Sequence, residues 1–101
     1  MNVQRALIAQ IATRLAPAKV AVLAANSRRW SSMTFNGERH ELSLMIEGDA
    51  APERVGLFQR EIDCADFNIS GNLVADIVVR PIDPDGRVAR VMVEALTVAT
   101  A

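Results

Sequence analysis

The sequence is poor in the residues that most often hold metals, form disulfides or fill a core with large rings. Its 101 residues include one cysteine, one histidine, one tryptophan, three phenylalanines and no tyrosine. One cysteine cannot form an internal disulfide, and one cysteine with one histidine does not supply the four ligands of a usual structural zinc site. We therefore expect no metal, no cofactor, and a core built from Ala, Val, Leu and Ile.

Long apolar runs and acidic residues near the N-terminus are also missing. No apolar run approaches the roughly 20 residues of a transmembrane helix. We therefore expect no membrane contact, and the single cysteine favours a reducing, cytoplasmic location. Residues 1–18 carry no acid and are amphipathic, which is typical of an organelle transit peptide. Because this segment is poor in serine, a structural helix is the preferred interpretation.

The charges are divided unevenly along the chain. All twelve Asp and Glu residues lie after position 37, whereas the first 37 residues carry five basic residues. A basic segment of this kind can bind an anionic partner, direct targeting, or pack against the acidic part of the same domain. The pI near 5.7 argues against a dedicated nucleic-acid-binding protein.

The composition predicts one globular domain over residues 1–101. Half of the residues are apolar and 23% are charged, which excludes an intrinsically disordered chain. A chain of this length can bury about 65% of its unfolded surface, so it needs no metal or disulfide to fold.

Two segments have the apolar spacing of amphipathic helices. The first is 2–16, limited by Pro17, because the residue before a proline avoids the helical conformation. The second is 49–64, where Pro52 is tolerated and Glu53 is favourable in the first turn. The apolar stripes are Val3, Leu7, Ile8, Ile11 and Leu15 in the first helix and Val55, Phe58 and Ile62 in the second.

The β-prone segments predict two hairpins. Residues 30–46 fold back at Asn36-Gly37, because both residues tolerate the positive φ of a two-residue turn. This turn gives the hairpin a core face made of Met33, Phe35, His40, Leu42, Leu44 and Ile46. Residues 19–25 are compatible with a helix or a strand, and their valine content favours a strand.

The second hairpin joins residues 73–82 to residues 88–98 across an Asp-Pro-Asp-Gly turn. A three-residue loop gives it one wholly apolar face, whereas a four-residue loop would mix charges into both faces. The favoured register pairs Val79 with Val91, Ile77 with Val93 and Ala75 with Ala95.

Together these elements predict an α+β fold in the order α-β-β-α-β-β, with residues 19–25 as an additional strand. An antiparallel sheet of two hairpins with both helices packed on one face buries every apolar stripe.

The second hairpin also predicts a pair of facing carboxylates. In the favoured register Asp76 lies opposite Glu94 on the solvent face, and Arg80 lies opposite Arg90. Facing carboxylates share a proton, bind a cation, or are neutralised by a third group. Neutralisation by arginines from the same or an adjacent strand, or a different register, is the preferred interpretation. The alternative is a small enzyme or a metal- or ligand-binding domain that uses Asp76 and Glu94, with His40.

Trp30 follows two arginines at the start of the first hairpin. An exposed Trp30 beside Arg28 and Arg29 would suit a protein contact, because Trp and Arg are enriched at interface hot spots. The same trio would suit stacking and phosphate binding on single-stranded nucleic acid. A β-bulge at residues 31–32, or cover by another element, would instead bury Trp30, which is the preferred interpretation.

The composition of the last predicted strand favours association with another chain. Residues 88–98 contain no Pro, Gly or Lys, so as an edge strand this segment would lack the usual guards against pairing with another chain. The alternative is an internal position for this strand in the sheet. We therefore predict a non-catalytic interaction or regulatory module that forms a homodimer, with a protein partner as a further expectation. The predicted contact residues are Arg28, Arg29, Trp30, Val78, Arg90, Met92 and Glu94.

Overall fold

A computed structural model describes residues 2–62, 67–85 and 88–100, which form two helices and one four-stranded antiparallel sheet. The elements in chain order are α1 (Val3–Leu15), β1 (Lys19–Ser31), β2 (Asn36–Glu47), α2 (Ala51–Glu61), β3 (Asn72–Asp85) and β4 (Val88–Ala99). The strands lie side by side in the order β1-β2-β4-β3. The predicted α+β class and element order are confirmed. Among the described residues, no helix is long and apolar enough to cross a membrane.

Both helices begin and end for local reasons. The Asn2 side chain caps α1 by accepting a hydrogen bond from the backbone N–H of Arg5 at 3.1 Å. The helix ends before Pro17 and buries Leu7, Ile11 and Leu15, which are spaced one turn apart. The second helix begins after Ala50, which has a left-handed backbone. It is shorter than predicted, and positions 63 and 64 of the predicted helix lie outside the described residues.

The first hairpin turns earlier than the sequence predicts. β1 pairs with β2 along its whole length, so residues 19–25 are the first half of β1 and not an additional strand. The turn lies at residues 33–34, where the N–H of Ser32 donates to the carbonyl oxygen of Phe35 at 2.8 Å. The Ser32 hydroxyl also accepts from the N–H of Phe35 at 3.1 Å. This serine turn replaces the predicted Asn36-Gly37 turn, and both of those residues belong to β2.

The earlier turn changes the predicted core at one end only. His40, Leu42, Leu44 and Ile46 are fully buried, as predicted. Met33 is fully exposed at the loop tip and Phe35 is 56% exposed, so the prediction that these two residues lie in the core is wrong.

The second hairpin has the predicted apolar face but a different register. Val79 pairs with Val93 and Ile77 pairs with Ala95, which is a shift of two residues from the predicted partners. The register shifts between Val74 and Asp76 and again between Ile82 and Asp85, and each shift leaves residues of β3 without a partner on β4. Because side chains alternate with a period of two, this two-residue shift changes the partners but keeps residues 76–82 on their predicted faces. Before residue 76 the faces change: Ala75, predicted opposite Ala95 on the apolar face, is exposed, and Val74 packs against the core instead.

The core lies between the two helices and one face of the sheet. Along β2 and β4, buried residues alternate with partly exposed ones, so one face is covered by the helices and the other is open. The helix-covered face contributes the buried side chains of His40, Leu42, Leu44, Ile46, Val79, Ala89, Val91, Val93, Ala95 and Thr97.

Candidate functional site

A chain of polar side chains runs through the helix-covered face at the end nearest the start of α1. The Gln4 side-chain nitrogen donates to Ser27 Oγ at 2.7 Å. Ser27 Oγ lies 2.6 Å from His40 Nδ1. On its other side, His40 Nε2 lies 3.1 Å from Thr97 Oγ1, and the Thr97 hydroxyl donates to the carbonyl oxygen of Glu38 at 3.3 Å. The chain therefore joins α1, β1, β2 and β4.

The two ends of this chain fix the positions of its protons. A carbonyl oxygen can only accept, so the single hydroxyl proton of Thr97 points to Glu38, and the Thr97 oxygen accepts the proton of His40 Nε2. His40 Nδ1 then carries a lone pair and accepts the hydroxyl proton of Ser27. Burial lowers the pKa of His40, and the charge of Glu38 partly opposes this effect. His40 is therefore a neutral imidazole whose free nitrogen faces a serine.

Ser27 opens onto a cleft at the same end of the sheet, which we call the N-terminal cleft. Its volume is about 700 Å³, and its walls are the start of α1 and the ends of the strands. Most of the lining groups are polar. They are Asn2, Val3, Gln4, Ser27, Arg29, Trp30, Ser31, Asn36, Gly37, Glu38, Asn72 and Ala99.

Trp30 is partly buried in the wall of this cleft. Its ring lies against Gly37 on the neighbouring strand, where an added Cβ would come within 3 Å of two ring carbons. The indole Nε1 is buried and has no hydrogen-bond partner among the described residues. An unpaired buried donor of this kind costs about 1–3 kcal/mol. Trp30 is half-buried, with its ring against Gly37 of β2.

The predicted Arg28-Arg29-Trp30 group is divided between two faces. Arg29 lines the N-terminal cleft beside Trp30. Arg28 lies on the open face, where its guanidinium is 3.8 Å from the Glu41 carboxylate. The three residues therefore do not form one contact patch.

Two facing carboxylates do occur on the open face, but one member differs from the predicted pair. Glu94 lies opposite Glu41 of β2, and Asp76 lies opposite Leu96. Arg80 approaches Glu94 at 3.4 Å, so each glutamate has an arginine on its outer side. Across the four strands, the open face thus carries a charge row of Arg28, Glu41, Glu94 and Arg80.

This arrangement separates the residues of the predicted carboxylate site. Asp76 and Glu94 are not cross-strand partners. His40 lies on the helix-covered face, whereas Glu94 lies on the open face. No group of three or more Asp, Glu, His or Cys residues that could hold a metal ion occurs within residues 2–62, 67–85 and 88–100.

The predicted edge strand is an interior strand. β4 pairs with β2 on one side and with β3 on the other, so the expectation that residues 88–98 form an unprotected edge is wrong. Arg90 and Met92 lie in the middle of the sheet opposite Met45 and Ser43, and Val78 on β3 is 37% exposed. The two edges of the sheet are β1 and β3.

The sequence gives no sign of the polar chain. Gln4, Ser27 and Thr97 belong to no motif, and Ser27 and Thr97 meet His40 only because β2 lies between β1 and β4. No protein family, curated protein or solved structure matches the chain.

Proposed function

We propose that the protein acts by association and that two copies join along their β1 strands into one continuous eight-stranded sheet. The observation that carries this proposal is that the middle of the edge strand β1 lacks the usual guards against pairing with another chain. Its middle, residues 20–25, has no charge, proline or glycine, and most of it is exposed. Val22 and Leu23 are 46% and 48% exposed. Such an edge is a template for pairing with another strand.

The other edge of the sheet is better guarded. β3 contains Pro81, which has no backbone N–H to donate, and it is interrupted by two irregularities. Asp76 and Arg80 add charges along it. β1 has only the irregularity between Val22 and Ala24. The comparison favours β1 as the associating edge.

The exposed area of one chain also supports association. The chain exposes 6403 Å², whereas a monomeric protein of its mass is expected to expose about 5,600 Å². The excess of about 800 Å² is close to the area that each partner contributes to an interface of standard size. The radius of gyration is 13.7 Å, compared with about 12.7 Å for a compact domain of this length.

The charge row argues against stacking two open faces. Glu41 and Glu94 lie side by side at its centre, so a two-fold stack that superposes the rows would bring the acidic centres together. Like charges in a contact region oppose binding. Antiparallel pairing of two β1 strands has no such conflict, because Lys19 and the two arginines lie at opposite ends of the strand and do not face their copies.

The resulting function is that of a homodimeric interaction module whose partner is a second copy of the same chain. We propose the cytoplasm as its location, on the ground of its single cysteine.

Paired lysines on each edge test this proposal. Val22→Lys/Leu23→Lys places four lysines in the dimer interface, and charged edge residues prevent strand pairing. We expect light scattering to give twice 11.0 kDa for the unmodified chain and about 11.0 kDa for this variant.

The matched control is Val78→Lys/Ile82→Lys, which changes two exposed apolar residues on the other edge. We expect this control to remain a dimer. Dissociation of the control alongside a dimeric Val22→Lys/Leu23→Lys variant would contradict the β1 interface.

A further inference from the structure

We propose that Ser27 is a nucleophile, activated by His40, that accepts the acyl group of a carboxylic ester bound in the N-terminal cleft. This proposal is independent of the dimer. It rests on the polar chain, on the opening of that chain into the cleft, and on the donors that line the cleft beside it.

The polar chain meets the geometric requirement for an activated serine. Ser27 Oγ and His40 Nδ1 are 2.6 Å apart, which is within the reach of a nucleophile and its general base. The hydrogen bond from His40 Nε2 to Thr97 holds the imidazole in the tautomer that leaves Nδ1 free. Thr97 thus takes the orienting position that a carboxylate occupies in a serine triad.

During acyl transfer, His40 carries one proton from Ser27 to the leaving alcohol. Ser27 Oγ attacks the carbonyl carbon of the ester while its proton passes to His40 Nδ1. The tetrahedral intermediate collapses, the bond from carbon to the leaving oxygen breaks, and the alcohol leaves with the proton from His40. The acyl group remains on Ser27, and water then removes it by the same route in reverse.

Groups near Ser27 and His40 stabilise both charged species of this step, which are the imidazolium and the oxyanion. Glu38 acts on His40 electrostatically and favours the imidazolium that forms during the attack. The first backbone N–H groups of a helix have no acceptor within the helix, and Val3 and Gln4 of α1 line the cleft. These N–H groups and Arg29, which lines the same cleft, are the candidate donors for the developing oxyanion.

The cleft offers space for a substrate beside Ser27, and Trp30 forms part of its wall. The cleft of about 700 Å³ is large enough for a small ester and is open enough for water to reach the acyl group.

Labelling with a fluorophosphonate tests the nucleophile directly. The reagent forms a bond to an activated serine oxygen and releases fluoride. We expect intact mass spectrometry to show one adduct per chain, and peptide mapping to place it on Ser27. We expect the same protein to hydrolyse p-nitrophenyl acetate, with release of p-nitrophenolate as the measured signal.

Two serine variants separate Ser27 from the other serines of the chain. We expect Ser27→Ala to lose the adduct, whereas Ser43→Ala, which changes a serine opposite Met92 on the open face of the sheet, labels at the rate of the unmodified chain. His40→Gln is expected to lower the labelling rate about 100-fold, the usual contribution of a general base. Circular dichroism confirms that each variant is folded.

Failure of the unmodified chain to label, or equal labelling of Ser27→Ala, would overturn the proposal. These outcomes do not depend on the fold of any histidine variant. They also leave the dimer unaffected, because oligomeric mass is measured separately.

Discussion

Gly37→Ala is expected to lower the free energy of unfolding by at least about 3 kcal/mol, because the strands on both sides leave no space for the added methyl group. An added Cβ would collide with the carbonyl oxygen of Thr97 and would come within 3 Å of the Trp30 ring. Gly37 pairs with both Trp30 and Val98. The strand therefore cannot move away from one neighbour without disturbing the other.

Urea unfolding followed by circular dichroism measures this effect, and Gly56→Ala is the matched control. Gly56 lies in α2, where an added Cβ would meet only the mobile end of Arg60 at 3.7 Å. This control is expected to raise stability by about 1 kcal/mol, because alanine favours the helix. A loss below 1 kcal/mol for Gly37→Ala would contradict the close packing of β2 between its neighbours.

Thr97→Val is expected to destabilise the fold by about 2 kcal/mol, because it leaves buried polar groups without partners. Valine has nearly the shape of threonine but no hydroxyl, so His40 Nε2–H loses its acceptor and the Glu38 carbonyl loses a donor. Both Thr97 and His40 are completely buried, and water cannot take the place of the hydroxyl.

A double-mutant cycle with His40→Leu separates this loss from a general packing effect. In the His40→Leu background there is no imidazole N–H to leave unpaired, and Thr97→Val should then cost less than about 1 kcal/mol. Urea unfolding of the four proteins gives the coupling between the two residues. A cost for Thr97→Val that is the same in both backgrounds would show that the two side chains are not linked.

Local patterns predicted the helices and the faces of the strands. The stripe that includes Leu7, Ile11 and Leu15 identified α1, and the alternation in residues 40–46 identified the buried face of β2. Both depend on periodicity alone, which is a local property. The α+β class followed because these apolar surfaces must cover one another.

Two features were wrongly predicted because they depend on packing and on strand irregularities that turn preferences do not include. The Asn36-Gly37 pair has strong turn chemistry, yet Gly37 is required by its contact with Thr97 and Trp30, while Ser32 closes the actual turn. The shifted register of the second hairpin likewise depends on irregularities within β3. Residue preferences along the sequence predict neither the position of the actual turn nor the shifted register.

The candidate site could not be predicted from the sequence because its residues are far apart along the chain. The sequence placed His40 on the core face of the first hairpin, but its hydrogen-bond partners lie 13 and 57 positions away along the chain. The order β1-β2-β4-β3 brings Ser27 and Thr97 to its two sides. It also places Glu41 beside Glu94, where the hairpin alone had suggested Asp76.

The most direct test of the account is amide hydrogen exchange along β1, measured on the full chain at high and low protein concentration. If two copies pair through this edge, amides within residues 20–25 exchange slowly at high concentration and faster on dilution, and they exchange fast in Val22→Lys/Leu23→Lys at both concentrations. Exchange in β1 that is equally fast at every concentration, in a chain of 11.0 kDa in solution, would contradict the β1 dimer.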